Sequence, residues 1–139
     1  MAYCSFMTTR SAPVPGEIAS AAAAAAELRV LVLFGSRARG EAHAASDWDF
    51  GYVADDGYDP RDLLADMVAC LGTERVDLVD LRRASGLLRF RAARDGLLIF
   101  ERRPGLWTGL CEQVALAWCD MELVIRAAAE RSLQELSGG

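Results

Sequence analysis

The sequence contains no lysine: all 15 basic side chains are arginine, set against 20 aspartates and glutamates, for a net charge of −5. An isoelectric point near 4.9 argues against a broad basic face, which non-specific nucleic-acid binding needs in order to displace counterions. DNA is therefore not an expected partner. There is one histidine, His43, and the four cysteines, Cys4, Cys70, Cys111 and Cys119, make no Cys-x-x-Cys pair and no metal-ligand spacing with it. Zinc is not indicated, and Cys70, Cys111 and Cys119 read as small buried apolar residues. Long hydrophobic runs are also lacking. Ala21 to Ala26 is too short and too weakly apolar to span a bilayer, and no charged segment leads into a strongly apolar one as in a secretory signal. The expectation is a cytoplasmic protein with no membrane partner.

What is present suits one folded domain. Of 139 residues, 53% are hydrophobic and 25% charged, enough apolar material to close a core. Residues 1–16 carry Pro13, Pro15 and Gly16 without periodicity and are expected to be a flexible leader; residues 17–135 form the domain. The alanine-rich run from Glu17 to Leu28 favours helix, and Arg29–Phe34 is a buried strand. In Asp47–Val53 alternation puts Asp47, Asp49, Gly51 and Val53 on one face of a strand and Trp48, Phe50 and Tyr52 on the other. Asp59-Pro60 opens a helix that Gly72 stops. Val76–Leu81 and Leu97–Phe100 are strands flanking a helix capped by Ser85. Residues 104–134 form a long helix whose apolar positions, Leu106, Leu110, Val114, Ala117, Met121, Val124 and Ala128, advance by fours and threes. The order implies an α/β (α+β) fold, one small mixed sheet with helices mostly on one face.

Three acidic residues carry the chemistry. Strand positions i and i+2 point the same way, ~6.5–7 Å apart, so Asp47 and Asp49 can converge on one hard cation. Asp77 completes the set from ~5 Å away if its strand pairs with theirs. An Asp-x-Asp pair alone is more often a solvated strand end. Asp49 and Asp77, however, sit among apolar residues, where an unpaired carboxylate is costly to bury. Magnesium prefers such oxygen ligands together with substrate phosphates. Gly35-Ser36, directly after a hydrophobic strand, lets the backbone approach a ligand closely, and its amides and hydroxyl suit phosphate oxygens. Arg37 and Arg39 flank that turn and can stabilise phosphate charge. Asp80 rivals Asp77: alternation puts the two on opposite faces, so only one can face the cation, and central placement in the strand favours Asp77.

Gly35-Ser36, ten residues, then Asp47-x-Asp49 resembles the signature of the polymerase-beta-like nucleotidyltransferase superfamily. The segments G-S-R-A-R-G-E and S-D-W-D-F-G-Y-V are similar to its minimal nucleotidyltransferase (MNT) branch. V-D-L-V-D-L matches the segment bearing that family's third carboxylate, and the stretch from Arg82 to Glu101 is similar to MNT antitoxins encoded beside HEPN toxins.

The resemblance implies that Gly35 and Ser36 bind the nucleotide's terminal phosphates, and that Asp47, Asp49 and Asp77 are catalytic and bind one or two magnesium ions. Arg37 and Arg39, from their place beside the turn alone, are candidate nucleotide-binding residues or solvated loop arginines. It further implies a nucleoside triphosphate, ATP, as substrate. AMP would be transferred to a hydroxyl, expected to be a tyrosine of a partner HEPN ribonuclease toxin that the chain neutralises as antitoxin. Two alternatives remain at this level: a small acceptor such as an aminoglycoside, or an antitoxin that acts by binding alone. Self-association as a homo-oligomer is left open.

Overall fold

The computed structural model describes residues 12–137. Its elements run α1 Gly16–Ala24, β1 Leu28–Phe34, α2 Ser36–Arg39, β2 Trp48–Ala54, α3 Arg61–Leu71, β3 Val76–Asp80, α4 Gly86–Asp95, β4 Leu97–Glu101 and α5 Leu106–Ser137. The four strands form one sheet in the order β3-β2-β1-β4. β1 pairs antiparallel with β2 and with β4, and β2 pairs parallel with β3. The parallel step is made through α3, as a crossover connection requires.

The mixed sheet is as expected. The helices, expected mostly on one face, are instead divided between both. Alternation along β1 and β2 sends Leu31, Leu33, Phe50 and Tyr52 to one side, where Ile18 and Ala22 of α1 and Leu63 and Met67 of α3 close over them. Val30, Val32 and Phe34 project to the other side, against Ala92 of α4, Trp107 of α5 and Leu81. Because β1 is apolar on both faces, it needs cover on both, and only a helix on each side supplies it.

Element ends follow local chemistry. α1 stops at Ala24, four residues short of the helix expected to reach Leu28, because Leu28 is already paired with Ala54 in the sheet. At its end the carbonyls of Ala22, Ala23 and Ala25 accept hydrogen bonds from the Arg102 guanidinium, which also stacks on Phe100 at 4.7 Å. Asp59 Oδ1 accepts from the Arg61 N–H at 3.0 Å, and Gly72 ends α3 in the left-handed conformation. Ser85 Oγ caps α4 by accepting from the Leu88 N–H. Glu101 accepts from the N–H groups of Gly105 and Trp107, tying β4 to the start of α5.

Two sequence expectations are revised. Of the leader, residues 1–11 lie outside the described residues, while Ala12 and Val14 pack against the core. Of the cysteines, Cys70 and Cys111 are half-buried but Cys119 is exposed on α5; Cys4 lies outside the described residues. Burial pushes the Cys111 thiol up to about 12, so it is inert as a nucleophile at neutral pH.

Candidate active site

The register of the sheet assembles the site. Asp49 lies directly beside Asp77 across the β2–β3 pairing, and Phe34, at the end of β1, lies beside Asp49 on its other edge. Phe34, Asp49 and Asp77 thus form a row across three strands on one face. Asp80 stands opposite Tyr52, on the other face, where its Oδ1 accepts from the Arg82 N–H at 2.9 Å. Asp77, not Asp80, is the carboxylate beside Asp49.

Gly35 follows Phe34 with φ +77°, a conformation that favours glycine. A Cβ at this position would come within 2.4 Å of Asp49 Oδ2, so the absence of a side chain is what lets the Asp49 carboxylate lie against the turn. Beyond it, Ser36 opens the single turn of α2. Phe34, Gly35, Ser36, Arg39, Asp49 and Asp77 line a cleft of about 810 Å³. Its opposite wall is α4, which contributes Leu88, Arg91, Arg94 and Asp95.

These three charged α4 residues escaped sequence reasoning. Their signal was present: Leu88, Arg91, Arg94 and Asp95 recur by threes and fours on one helix face. Which way that face points depends on how α4 lies on the sheet.

The two arginines expected at the turn separate. Arg39 lines the cleft and pairs with Glu41 at 3.1 Å and with Asp95 at 3.2 Å. Arg37 does not line it. Its guanidinium donates to the carbonyls of Ser46 and His43 and stacks over Trp48 at 4.1 Å. Expected to bind nucleotide, Arg37 instead braces the loop that leads into Asp47, because the carbonyls of that loop lie within its reach.

Asp47 sits one residue before β2, exposed, and outside the cleft lining. Its charge nonetheless reaches Asp49. Burial, followed by the charges of Asp77 and Asp47, pushes the Asp49 carboxyl above its usual range, with Arg39 pulling it back. Among the described residues no three His, Cys, Asp or Glu side chains are gathered as a ready-made metal cage. The donor set still fits a hard cation: two adjacent carboxylates face the cleft, and Asp49 bears the cost of burial and like charge that a cation would relieve.

A family model described as polymerase beta, nucleotidyltransferase matches residues 17–104, more than half of the chain. The chain belongs to this nucleotidyltransferase family. The match spans α1 through β4 and so includes the glycine turn and all three aspartates. The chain is also similar to "Protein adenylyltransferase MntA" from Aphanizomenon flos-aquae (strain 2012/KM1/D3), with 39% identity over 90 residues. That alignment covers 56% of this chain and 59% of the relative.

Among solved structures, one described as a toxin-antitoxin with AMP-PNP superposes with a TM-score of 0.66 at 22% identity, over 84% of this chain and 94% of the other. A second, from Shewanella oneidensis, is described as a tri-AMPylated HEPN toxin in complex with MNT antitoxin. It superposes with a TM-score of 0.56 at 22% identity, over 78% and 85% of the two chains. At such identities these likenesses establish the shared fold.

Proposed function

We propose that this chain is a magnesium-dependent adenylyltransferase that moves AMP from ATP to a tyrosine hydroxyl of a partner HEPN ribonuclease toxin, and so acts as its antitoxin. The observation that carries the reading is the Asp49–Asp77 pair, side by side in the sheet and directly against the Gly35 turn. The adenylyltransferase relative and the toxin-antitoxin structures support the choice of nucleotide and partner.

In this reading the turn at Gly35 and Ser36 holds the triphosphate, with Arg39 beside it. Asp49 and Asp77, joined by Asp47, present the oxygens that hold magnesium. When bound, the ion supplies positive charge where the reaction builds negative charge on the phosphate oxygens. The acceptor oxygen attacks the α-phosphorus, and the bond from that phosphorus to the oxygen leading to the β-phosphate breaks. Pyrophosphate leaves, and the hydroxyl proton passes to the Asp77 carboxylate. Phe34, Leu78, Val79 and Leu88 form the apolar part of the cleft.

The test is label transfer from α-labelled ATP with magnesium, with and without the cognate toxin. Label on the toxin, lost when Asp49 and Asp77 are both changed to asparagine, is the expected result. Label on an added aminoglycoside would move the assignment to a small acceptor. Toxin neutralised with no label on any component would sink the catalytic reading.

A further inference from the structure

Three guanidinium groups line the cleft wall opposite or beside the carboxylates: Arg39, Arg91 and Arg94. Two of them already have an anion. Arg39 and Arg94 both bond the Asp95 carboxylate, at 3.2 Å and 2.9 Å, and the Asp95 side chain is only 9% exposed. These two pairings hold the Asp95 carboxyl below its usual range and leave it charged at neutral pH. Arg91 is different. Among the described residues no hydrogen bond or ion pair engages it, yet it lines the same cleft.

Position along the chain brings Arg91 close to the glycine turn. It precedes Asp95 by four residues on α4, so the two share a helix face about 6 Å apart along the axis. Asp95 in turn is bonded to Arg39, which lies three residues, one turn of α2, beyond Ser36. A chain of short steps therefore links Arg91 through Asp95 and Arg39 to Ser36. An elongated anion lying against Gly35 and Ser36, with one end at the carboxylates, has Arg91 on the far wall. An unpaired guanidinium is planar and forked, which suits phosphate oxygens.

We infer that Arg91 is a further substrate-binding residue, the guanidinium that grips the β- and γ-phosphates of the bound nucleoside triphosphate. This rests on the nucleotidyltransferase reading above. Arg91 gives the two terminal phosphates a partner that the protein has not already neutralised, and it holds the same groups as they become the leaving pyrophosphate. Arg39 and Arg94, tied to Asp95, form the adjoining rim. The role is specific to phosphates beyond the first, so a nucleoside monophosphate gains little from it.

The experiment compares binding of AMP-PNP and of AMP, each with magnesium, to the full chain and to its Arg91→Ala and Arg91→Lys variants by calorimetry. Arg91→Ala is expected to weaken AMP-PNP binding about tenfold while changing AMP binding less than about twofold, with Arg91→Lys between. Arg83→Ala, on the far side of the sheet beside Asp80, serves as the control and leaves both affinities unchanged. An Arg91→Ala chain that binds AMP-PNP as the parent does, or that loses AMP and AMP-PNP equally, overturns the assignment. A parent chain that binds AMP-PNP no better than AMP overturns it too. A parent chain that binds neither nucleotide overturns this inference and the nucleotidyltransferase reading together. Thermal melts of both variants matching the parent exclude a folding defect, since Arg91 is exposed.

Discussion

The two faces of the sheet share the same strands and differ in how they are closed. On one face, α1 and α3 seal Leu31, Leu33, Phe50 and Tyr52 into a continuous apolar layer. On the other, Leu81, α4 and the start of α5 cover Val30, Val32, Phe34 and Val53 but leave Asp49 and Asp77 open to a cleft that Phe34 edges. Strand β2 contributes Phe50 to the sealed face and Asp49 to the open one. Gly51 makes the division possible, because a Cβ there would meet the Leu81 side chain at 2.9 Å; without one, Leu81 lies flat on the strand next to the site. The difference teaches that stability and chemistry are separated by a single step along one strand.

The largest expected effect breaks the open face alone. Changing Asp49 and Asp77 together to asparagine should reduce label transfer at least about 100-fold, since loss even of supporting groups around a metal costs 10- to 100-fold. Urea unfolding of that variant should not show a loss of stability; a collapse of stability would mean the open face is structural after all. Phe50→Ala, one residue away, should do the reverse and lower unfolding free energy by about 3–5 kcal/mol, read from the same denaturant titration. A cost below about 1 kcal/mol would contradict a sealed layer around Phe50.

Gly35→Ala sharpens the boundary between the faces. The substitution strains a positive φ and drives a methyl group into the Asp49 carboxylate, and should cost about 1–3 kcal/mol together with most of the transfer activity. Full activity in the alanine variant would show that Asp49 does not need to lie against the turn.

Asp49→Asn gives a smaller shift, and its sign is set by the raised folded-state carboxyl. A carboxyl whose folded pKa exceeds its unfolded value binds more protons in the native state, so its ionisation costs stability as pH rises through that window. In magnesium-free buffer at pH 7 the asparagine variant should therefore melt above the parent. The gain should shrink as pH falls through the Asp49 titration towards the ordinary carboxylate range. A variant that melts below the parent at pH 7 would mean the carboxylate is paired in a way this geometry does not contain.

Asp80→Asn completes the series, since it sits on the other face opposite Tyr52. Label transfer by this variant should stay within about twofold of the parent, a difference worth less than 1 kcal/mol.

Much of this was legible in order along the chain. The alternation in β2, the glycine after β1 and the cap at Ser85 are local features, and local rules read them. Period-two alternation separates Asp77 from Asp80, central placement and the family pattern favour Asp77, and the parallel register sets Asp77 beside Asp49. The misreadings have a common cause. Arg37 and Arg39 are indistinguishable in sequence, and their fates diverge because only one faces carbonyls of a neighbouring loop. α1 was drawn too long because alanine favours helix whatever follows, whereas pairing of Leu28 in the sheet decides where helix must stop. Cys119, which as a free cysteine reads as a small buried residue, is exposed, because local sequence does not reveal how far along α5 its packing extends.

The amino-acid sequence by itself determined which residues share a face, where chain direction reverses and which acidic groups can stand together, because these follow from fixed backbone periods and from glycine's freedom at positive φ. Tertiary structure alone decided that α4 lies over the carboxylates and carries Arg91, Arg94 and Asp95 to the cleft, and that Asp95 ties up two of the three arginines there. Those outcomes depend on how separate elements pack, and packing is settled by shape and burial across segments that no local pattern connects.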